Sequence, residues 1–271
     1  MKSKNKNDAV FHNSNSPLIS VIIPCFNNED TLSDAIKSIT RQTYQNFEII
    51  IINDNSSDRS IDSIKEILNK DKRVRVIHNR RNMGSGPSRN IGIKSSEGKY
   101  ICFLDADDLW INTKLEDQLN FMLKNNYDFS YTSFYERNND KIYVKSIINN
   151  VTKLKLLFSN PIPCITVMYE KKKFKNIFQP DLQRAQDFGH WVLMLKNKRK
   201  AFGFNKPLSI YSRRKLKLSQ KIQVLKSYIF IVKNYYSYGR LIIYFTFPLF
   251  LFTNLIKKNQ RRTLIRYKID V

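Results

Sequence analysis

A short apolar run followed at once by three carboxylates constrains this chain more than any other stretch. Residues 100–104 are apolar and β-prone, which predicts a buried strand, and Asp105, Asp107 and Asp108 come directly after it. In an extended backbone, residues two apart point to the same side, so we expect Asp105 and Asp107 to face one point at the mouth of a sheet. Such close carboxylates repel one another unless a cation lies among them, and oxygen ligands suit Mg²⁺ or Mn²⁺. The alternative for this pattern alone is an acidic loop that caps the next helix.

Three earlier apolar runs are likewise followed by polar residues. Residues 18–26, 47–52 and 74–77 predict strands, and apolar residues at helical spacing separate each strand from the next. This alternation predicts an α/β fold with a Rossmann-like, doubly wound, mostly parallel sheet flanked by helices. Ligands of such sheets bind at the carboxyl ends of the strands. The polar clusters of the chain fall at those ends, at residues 27–29, 53–58, 79–86 and 105–108.

Beyond residue 110 the pattern changes. Strands are predicted over residues 128–134 and 142–144, which pair with each other, and over residues 164–169. Residues 180–186 are predicted to form a loop, and a helix that contains Trp191 is predicted to begin at Asp187. Apolar residues at helical spacing from Leu216 onward predict a further helix.

Composition and charge limit the classes of protein to which this chain can belong. Of its 271 residues, 42% are hydrophobic, which is enough for a sizeable core and excludes wholesale disorder. The net charge is +24, and the last 80 residues carry 19 Lys and Arg against one acid, Asp270. A basic tail of this size indicates an anionic partner, either a nucleic acid or a membrane surface. Cys25, Cys102 and Cys164 are predicted to be buried free thiols in a reducing compartment, and residues 1–16 a flexible leader rather than a signal peptide.

Four motifs in order carry a family resemblance. They are VIIPCFN at 21–27, IINDNSSD at 51–58, NMGSGPSRN at 82–90 and GKYICFLDADD at 98–108. Over about residues 18–212 the chain resembles the family 2 glycosyltransferases, which have the GT-A fold. PCITVM at 163–168 and RAQDFGHW at 184–191 are similar to the bacterial surface-polysaccharide enzymes of the teichuronic acid and lipopolysaccharide types. The resemblance implies a GT-A domain over 17–213, with a nucleotide-binding half at 17–110 and an acceptor half at 111–213, followed by a basic helical tail at 214–271.

The resemblance also implies a nucleotide site. Asp54 would accept a hydrogen bond from a uracil N–H, although the residue alone fits a helix cap or Asx turn as well. Arg89 would lie near the nucleotide or its diphosphate, and the alternative is a solvated charge on a helix. Asp105 and Ala106 would approach the ribose or the sugar, and Asp107 together with Asp105 would hold a Mn²⁺ or Mg²⁺ ion that bridges the diphosphate oxygens. The residues that would border the nucleotide at the end of the first strand are Pro24, Cys25, Phe26, Asn27 and Glu29.

The position of the general base is implied by the same resemblance. In the family this residue is an Asp usually preceded by Glu, and here Gln186 precedes Asp187. Asp187 is therefore expected to be the base, and capping of its helix is the alternative role. His190 is expected to pack within the helix. The sequence contains no nucleophile-elbow or metal-protease motif, which argues against a hydrolase.

The segment after the predicted final helix combines apolar and basic residues. Residues 241–256 are apolar and aromatic, but this run is shorter than the ~20 residues that a spanning helix needs, and Pro248 interrupts it. An interfacial anchor on anionic lipid is predicted, and an ordinary packing helix is the alternative. The basic residues that follow the run are Lys257, Lys258, Arg261, Arg262, Arg266 and Lys268.

These features together predict an inverting glycosyltransferase. It would move a sugar from a UDP-sugar donor to a saccharide or polyprenyl-linked acceptor in cell-surface polysaccharide biosynthesis, with a divalent metal as cofactor. The resemblance implies a cytoplasmic protein that is peripheral on the inner face of the cell membrane. A nucleotidyl or phosphoryl transferase would use the same carboxylates and remains an alternative. A nucleic-acid-binding protein would fit the basic tail, but the aromatic-basic motifs of RNA-binding domains are lacking, so no nucleic acid partner is expected.

Overall fold

The computed structural model describes residues 16–139, 141–147, 150–213 and 216–236, together with Thr246 and the strand Thr263–Ile265. Apart from Ser16, the predicted leader lies outside the described residues. The same holds for the apolar run 241–256, apart from Thr246, and for the six basic residues that follow it. Among the described residues, no helix has the length and apolar character needed to cross a lipid bilayer.

The strands follow the apolar runs of the sequence closely in the first half of the chain. The predicted runs 47–52 and 74–77 become strands that end one residue later, and the runs 18–26 and 100–104 become strands that end one residue earlier. The strands are β1 Ile19–Cys25, β2 Phe47–Asn53, β3 Val74–His78, β4 Tyr100–Phe103, β5 Leu109–Trp110, β6 Phe129–Asn138, β7 Lys141–Lys145, β8 Asn150–Thr152, β9 Val167–Glu170, β10 Lys200–Ser212 and β11 Thr263–Ile265.

The helices flank this sheet, and most lie where helical spacing predicts them. The predicted helix from residue 216 onward is confirmed, as is a helix that begins beside Asp187. The helices are α1 Leu32–Thr40, α2 Lys65–Lys70, α3 Ser85–Ser95, α4 Lys114–Asn125, α5 Lys153–Leu156, α6 Gln186–Met194 and α7 Leu218–Tyr235.

One predicted strand is partly wrong. Residues 164–169 were expected to be extended throughout, but Cys164–Thr166 form a 3-10 turn and only the residues from Val167 onward are a strand. The turn forms because Pro163 precedes it and its carbonyl accepts two hydrogen bonds from Thr166. The backbone N–H donates at 3.1 Å and the side-chain hydroxyl at 2.7 Å. The β-prone composition of the run was therefore overridden by local hydrogen bonding.

The sheet is mixed, with a parallel core. Neighbouring strands β3, β2, β1 and β4 are all parallel, which confirms the predicted doubly wound arrangement of the first half. Beyond β4, strand β9 pairs antiparallel with β4, and β6 pairs antiparallel with β9. The predicted pairing of the 142–144 run with the strand before it is confirmed by the antiparallel pair β6 and β7. In register, Cys25 lies beside Asn53 and Asn53 beside His78, so β1, β2 and β3 end at one edge.

Both faces of the sheet are covered, which explains why its strands are unbroken apolar runs. Along β2, Ile49 and Ile51 pack into a core that includes residues of α1 and α4. Ile50 and Ile52 point to the opposite face and pack with residues of α3, α6 and α7. The three cysteines are buried free thiols, as predicted. The polar residues that follow the strands are therefore the main hydrophilic surface at the carboxyl edge of the parallel strands.

Candidate active site

An open cleft of about 1130 Å³ lies at the carboxyl edge of the parallel strands. It is lined by residues that follow β1, β2 and β4 and by the end of β10. Sequence-predicted residues that line it are Pro24, Cys25, Phe26, Asp54, Arg89, Asp105, Ala106 and Asp107. The other three predicted residues, Asn27, Glu29 and Asp187, do not line this cleft.

Asn27 and Glu29 instead fasten the end of β1 to the polar loop after β2. Asn27 has a φ of 53°, accepts a hydrogen bond from the Ser57 N–H at 2.9 Å, and donates its own N–H to the Ser56 hydroxyl at 3.2 Å. The Glu29 carboxylate accepts from the Arg59 N–H at 2.9 Å. Asn tolerates the left-handed conformation and forms such local hydrogen bonds readily. These two residues fix the position of Pro24 to Phe26, which do face the cleft.

Asp54 organises a neighbouring loop. Its Oδ1 accepts from the Asn79 side-chain amide at 2.7 Å and from the Met83 N–H at 2.9 Å, and its Oδ2 accepts from the Gly84 N–H at 2.7 Å. Asp54 is 3% exposed, and its carboxylate does not cap the 3-10 turn at 62–64 or α2, the helical elements that follow it in the chain. Asp54 therefore caps neither helix that follows it in the chain, and instead it binds the backbone that leads into α3, including the N–H of its N-cap residue Gly84. A carboxylate has about four acceptor positions, so Oδ2 retains one for a ligand N–H.

Arg89 is buried rather than solvated, which rules out the solvated-charge alternative. The residue is 5% exposed, and its guanidinium forms an ion pair with Asp105 Oδ1 and donates from Nη1 to Gln179 Oε1 at 3.3 Å. Burial is the largest single influence and disfavours its charge, but the neighbouring acidic groups, Asp105 first among them and Asp187 further away, together raise the pKa of Arg89. Its Nε has no hydrogen-bond partner. Arg89 therefore fixes Asp105 in place from the interior side of the cleft.

The acidic segment after β4 is a turn, not extended chain. The Asp108 N–H donates to the Asp105 carbonyl at 3.0 Å, which closes a turn over residues 105–108. The expected reason for Asp105 and Asp107 facing one point is therefore wrong, yet both are half-buried and both line the cleft. The end of β10 holds this turn, because the Ser212 N–H donates to Asp108 Oδ1 at 2.6 Å and the Ser212 hydroxyl donates to the Asp107 carbonyl at 2.7 Å.

The pKa of Asp108 shows that negative charge is concentrated in this turn. Asp108 is 1% exposed, and its Oδ2 has no hydrogen-bond partner. Burial, followed by the charges of Asp105 and Asp107, raises the pKa of Asp108 well above its usual range. The two other carboxylates thus lie close enough to act on Asp108, and they are the ones that face the cleft.

The donor set fits a cation that a diphosphate helps to hold. In the described part of the chain, no group of three or more His, Cys, Asp or Glu side chains could hold a metal ion alone. Mg²⁺ and similar ions usually take one or two protein carboxylates and complete their shell with water and substrate phosphates. Asp107 and Asp105 provide such a pair at the cleft surface.

Asp187 lies on the first turn of α6. It is half-buried, its Oδ1 accepts from the Phe188 N–H at 2.7 Å, and its Oδ2 accepts from the Asn160 side-chain amide at 3.3 Å. Burial raises the pKa of Asp187, and the charge of Arg89 opposes this while that of Asp105 adds to it. Both residues therefore lie within electrostatic range of Asp187. A carboxylate with a raised pKa is a stronger proton acceptor, which suits a general base.

Gln186 and His190, the neighbours of Asp187 on α6, have packing roles. The Gln186 amide donates to the Leu182 carbonyl at 2.6 Å, away from Asp187. His190 is fully buried and its Nε2 lies 3.2 Å from the Ile177 carbonyl, so this nitrogen carries the proton. Burial lowers the pKa of His190 to about 3, which keeps the ring neutral. The prediction that His190 packs within the fold is confirmed.

Several residues of the site were not found from the sequence. Gln179 and Asn160 contact Arg89 and Asp187, and Ser212 holds the acidic turn. Each lies in a loop or at a strand end, outside the four motifs, and no local pattern marks it. Their contacts join residues distant in the chain, so only the tertiary fold reveals them.

The fold and the carboxylate cleft define the class of protein. The chain superposes on Staphylococcus aureus TarS 1–349 in complex with UDP-GlcNAc with a TM-score of 0.70 and 20% identity, covering 90% of this chain and 76% of that one. This likeness confirms the predicted GT-A fold. The family model described as glycosyl transferase family 2 matches residues 20–198. The chain therefore belongs to glycosyl transferase family 2.

Two curated relatives confirm the resemblance to surface-polysaccharide enzymes. The chain is 36% identical over 181 residues to WfgD of Escherichia coli, a UDP-Glc:alpha-D-GlcNAc-diphosphoundecaprenol beta-1,3-glucosyltransferase, covering 66% of this chain and 70% of that protein. It is 32% identical over 198 residues to TuaG of Bacillus subtilis, which is named as a teichuronic acid biosynthesis glycosyltransferase, covering 72% of this chain and 79% of that protein.

Proposed function

We propose that this chain transfers a sugar from a UDP-sugar to a saccharide or lipid-linked acceptor in cell-surface polysaccharide biosynthesis, with inversion at the anomeric carbon. The name of WfgD, which gives UDP-Glc as donor and a diphosphoundecaprenol-linked sugar as acceptor, supports the donor and acceptor classes, and that of TuaG supports the polysaccharide pathway. Family membership supports the reaction type.

One observation carries the proposal, namely the buried Arg89 that pairs with Asp105 of the cleft and acts electrostatically on Asp187. Inverting transfer needs a base for the acceptor hydroxyl and, close by, a site that binds the departing nucleotide diphosphate. Arg89 holds Asp105 by an ion pair, and its charge also acts on Asp187, which is itself held by Asn160 and the Phe188 N–H. Groups held in this way need little rearrangement when the reaction occurs.

The proposed chemistry is a single displacement. The acceptor oxygen forms a bond to the anomeric carbon as the bond from that carbon to the diphosphate oxygen breaks, and UDP leaves. The acceptor hydroxyl proton goes to the Asp187 carboxylate, whose raised pKa favours that transfer. Asp54, with its remaining acceptor position on Oδ2, receives the uracil N–H, while Pro24 to Phe26 border the base.

Asp107 and Asp105 are the proposed holders of a Mn²⁺ or Mg²⁺ ion. A divalent cation bound there would neutralise negative charge that develops on the diphosphate oxygens. Asp105 contributes with its orientation fixed by Arg89, and Asp107 with its backbone fixed by Ser212.

The cytoplasmic membrane face is the proposed place of action. A polyprenyl-linked acceptor would reside there, and the basic residues after the apolar run 241–256 suit an anionic lipid surface. The protein would be peripheral, with lipid headgroups as its partner.

A panel of UDP-sugars, assayed for UDP release with added Mn²⁺ or Mg²⁺, tests the proposal. Asp107→Asn should remove nearly all turnover without changing the melting temperature, because loss of the charge weakens a hard-cation site in a surface turn. Asp34→Asn, an exposed acid on α1, is the matched control and should retain activity. Full activity of Asp107→Asn, or of the wild type in excess EDTA, would refute the metal assignment. Release of pyrophosphate instead of UDP would identify a nucleotidyl transferase.

A further inference from the structure

The solvent side of α7 carries large apolar side chains in a regular stripe. Leu218 is 73% exposed, Ile222 46% and Phe230 44%. Together with Lys226 they recur every four residues, so they lie on one side of the helix. We call Leu218, Ile222, Lys226, Phe230 and Lys233 the α7 outer face. A soluble helix normally places its large apolar residues inward, so exposed ones on one face mark an interaction surface.

The charge of this face is of one sign. Between residues 216 and 236 there are four lysines, at positions 217, 221, 226 and 233, and no Asp or Glu. Lys226 and Lys233 belong to the α7 outer face and are exposed between the apolar residues. Basic residues interspersed with large apolar ones suit a surface that is anionic outside and apolar beneath, as a lipid headgroup layer is. The apolar run 241–256 of this chain is uncharged, and the one residue of it that the structure describes, Thr246, lies 3.2 Å from the buried Tyr228 hydroxyl, on the side of α7 opposite the outer face.

The inner side of α7 fixes the helix to the candidate active site. Tyr228 stacks on Phe188 of α6 with ring centroids 6.0 Å apart, and its hydroxyl donates to the Leu157 carbonyl at 2.7 Å. Phe188 is the residue next to Asp187, whose carboxylate accepts the Phe188 N–H. At its other end, α7 supplies Lys221 to the lining of the cleft, and Leu216 lines the cleft just before the helix.

We propose that the α7 outer face docks on an anionic lipid bilayer and so places the cleft mouth at the headgroup layer. This rests on the proposed function only in taking the acceptor to be lipid-linked. Such an acceptor carries its sugar and diphosphate at the height of the headgroups. Docking along α7 lets the acceptor enter the cleft beside Lys221 without leaving the membrane.

Co-sedimentation of the full chain with vesicles of equal parts phosphatidylglycerol and phosphatidylcholine tests the surface. The variant Leu218→Ser/Ile222→Ser/Phe230→Ser removes its apolar part, and Lys226→Glu/Lys233→Glu reverses its charge. Each should weaken vesicle binding by about tenfold or more. An interfacial helix binds through burial of its apolar side chains and through attraction of its basic side chains to anionic lipid, and each variant removes one of these contributions. All five side chains are exposed, so the fold should be kept, and unchanged melting temperatures check this. Leu123→Ser/Lys124→Glu on α4, an equally exposed apolar-basic pair, is the matched control and should bind as the wild type does.

Sugar transfer to a water-soluble acceptor, measured alongside, separates this proposal from the proposed function. Loss of vesicle binding in both α7 variants with soluble-acceptor turnover unchanged supports docking through α7. If the α7 variants bind vesicles as well as the α4 control does, the docking proposal is overturned, even when turnover is present. Absence of vesicle binding by the wild type also overturns it and points to a protein as the partner of this face. If vesicle binding depends on α7 but no sugar is transferred, the docking surface is supported and the proposed function is refuted.

Discussion

The surroundings of Asp187 change the acidity of a common residue. An Asp on the first turn of a helix is ordinarily a stabilising charge. Here burial raises its pKa, while Asn160, Arg89 and the Phe188 N–H favour its ionised form. The net effect is that the pKa of Asp187 lies above that of an exposed Asp, with burial as the largest cause. This raised pKa suits its proposed role as the base.

Asp187→Asn should lower kcat by roughly 10²–10⁴, the usual contribution of a general base. UDP affinity should not change, because Asp187 does not line the cleft. Calorimetry of UDP binding and steady-state rates of UDP release measure the two effects. Asp181→Asn, an exposed acid in the loop before α6, is the control and should behave as the wild type. Loss of UDP binding in Asp187→Asn would show that the base assignment is wrong.

Asn160→Ala should move the acid limb of the kcat/KM profile to higher pH. The Asn160 amide donates to Asp187 Oδ2 at 3.3 Å and so favours the ionised carboxylate. Without this donor the pKa of Asp187 rises further, and because the base works ionised, activity on acidification is lost at a higher pH. Asn160→Asp, which adds a negative charge beside Asp187, should move the limb further in the same direction. Identical profiles for the wild type and both variants would contradict this positioning role; Asn125→Ala on α4 is the neutral control.

At the scale of elements, α3 lies against β1 at a glycine. A Cβ on Gly92 would lie 2.4 Å from Cγ2 of Ile22, which is fully buried in the middle of β1. This close approach brings the first turns of α3, with Arg89, to the carboxyl edge of the sheet. The α3 sequence alone does not reveal the contact, because Gly within a helix otherwise only lowers helix propensity.

Gly92→Ala should therefore destabilise the protein, against the usual trend. Gly→Ala within a helix ordinarily stabilises by roughly 0.5–1 kcal/mol. Overpacking against Ile22 should instead cost about 1–3 kcal/mol of the free energy of unfolding, measured by urea denaturation. Equal or higher stability of Gly92→Ala would show that α3 can shift away from β1 without cost.

At the scale of the whole molecule, charge is divided unequally. The first 191 residues carry 28 Lys and Arg and 22 acids, so most of the net charge of +24 lies in the remaining 80 residues. The chain thus combines a nearly balanced domain that carries the candidate site with a strongly basic C-terminal part. Long-range attraction to an anionic surface would orient the molecule before any specific contact forms.

Replacement of Lys257, Lys258, Arg261 and Arg262 by Gln should weaken binding to phosphatidylglycerol vesicles. Each basic residue near an anionic leaflet contributes on the order of 1 kcal/mol, so the loss should reach about tenfold or more. High salt should weaken the wild type more than the variant, without abolishing binding, because burial of apolar side chains is not screened. Turnover of a soluble acceptor should not change, since every residue assigned to chemistry lies upstream. If the variant and the wild type bind vesicles with equal affinity, these four basic residues do not contribute to membrane binding.

The sequence by itself determined the parallel half of the fold and the edge that carries the site. Apolar runs and the turn residues after them are local signals, so β1 to β4 and the polar clusters at their carboxyl ends follow from short-range rules. Four ordered motifs further determined the family. The carboxylates Asp54, Asp105 and Asp107 were predicted in this way, because each comes shortly after the end of a strand.

Only the tertiary structure decided how those carboxylates are held. Three sets of contacts join residues far apart in the chain. They are the antiparallel pairing of β9 and β6 next to β4, the ion pair of Arg89 with Asp105, and the hydrogen bond from the Ser212 N–H to Asp108. The last of these spans 104 positions. Such contacts depend on which elements happen to pack side by side, and no local periodicity encodes them. The exposed stripe of α7 belongs to the same category, because a helical pattern shows which residues share a face but only packing shows which face remains open.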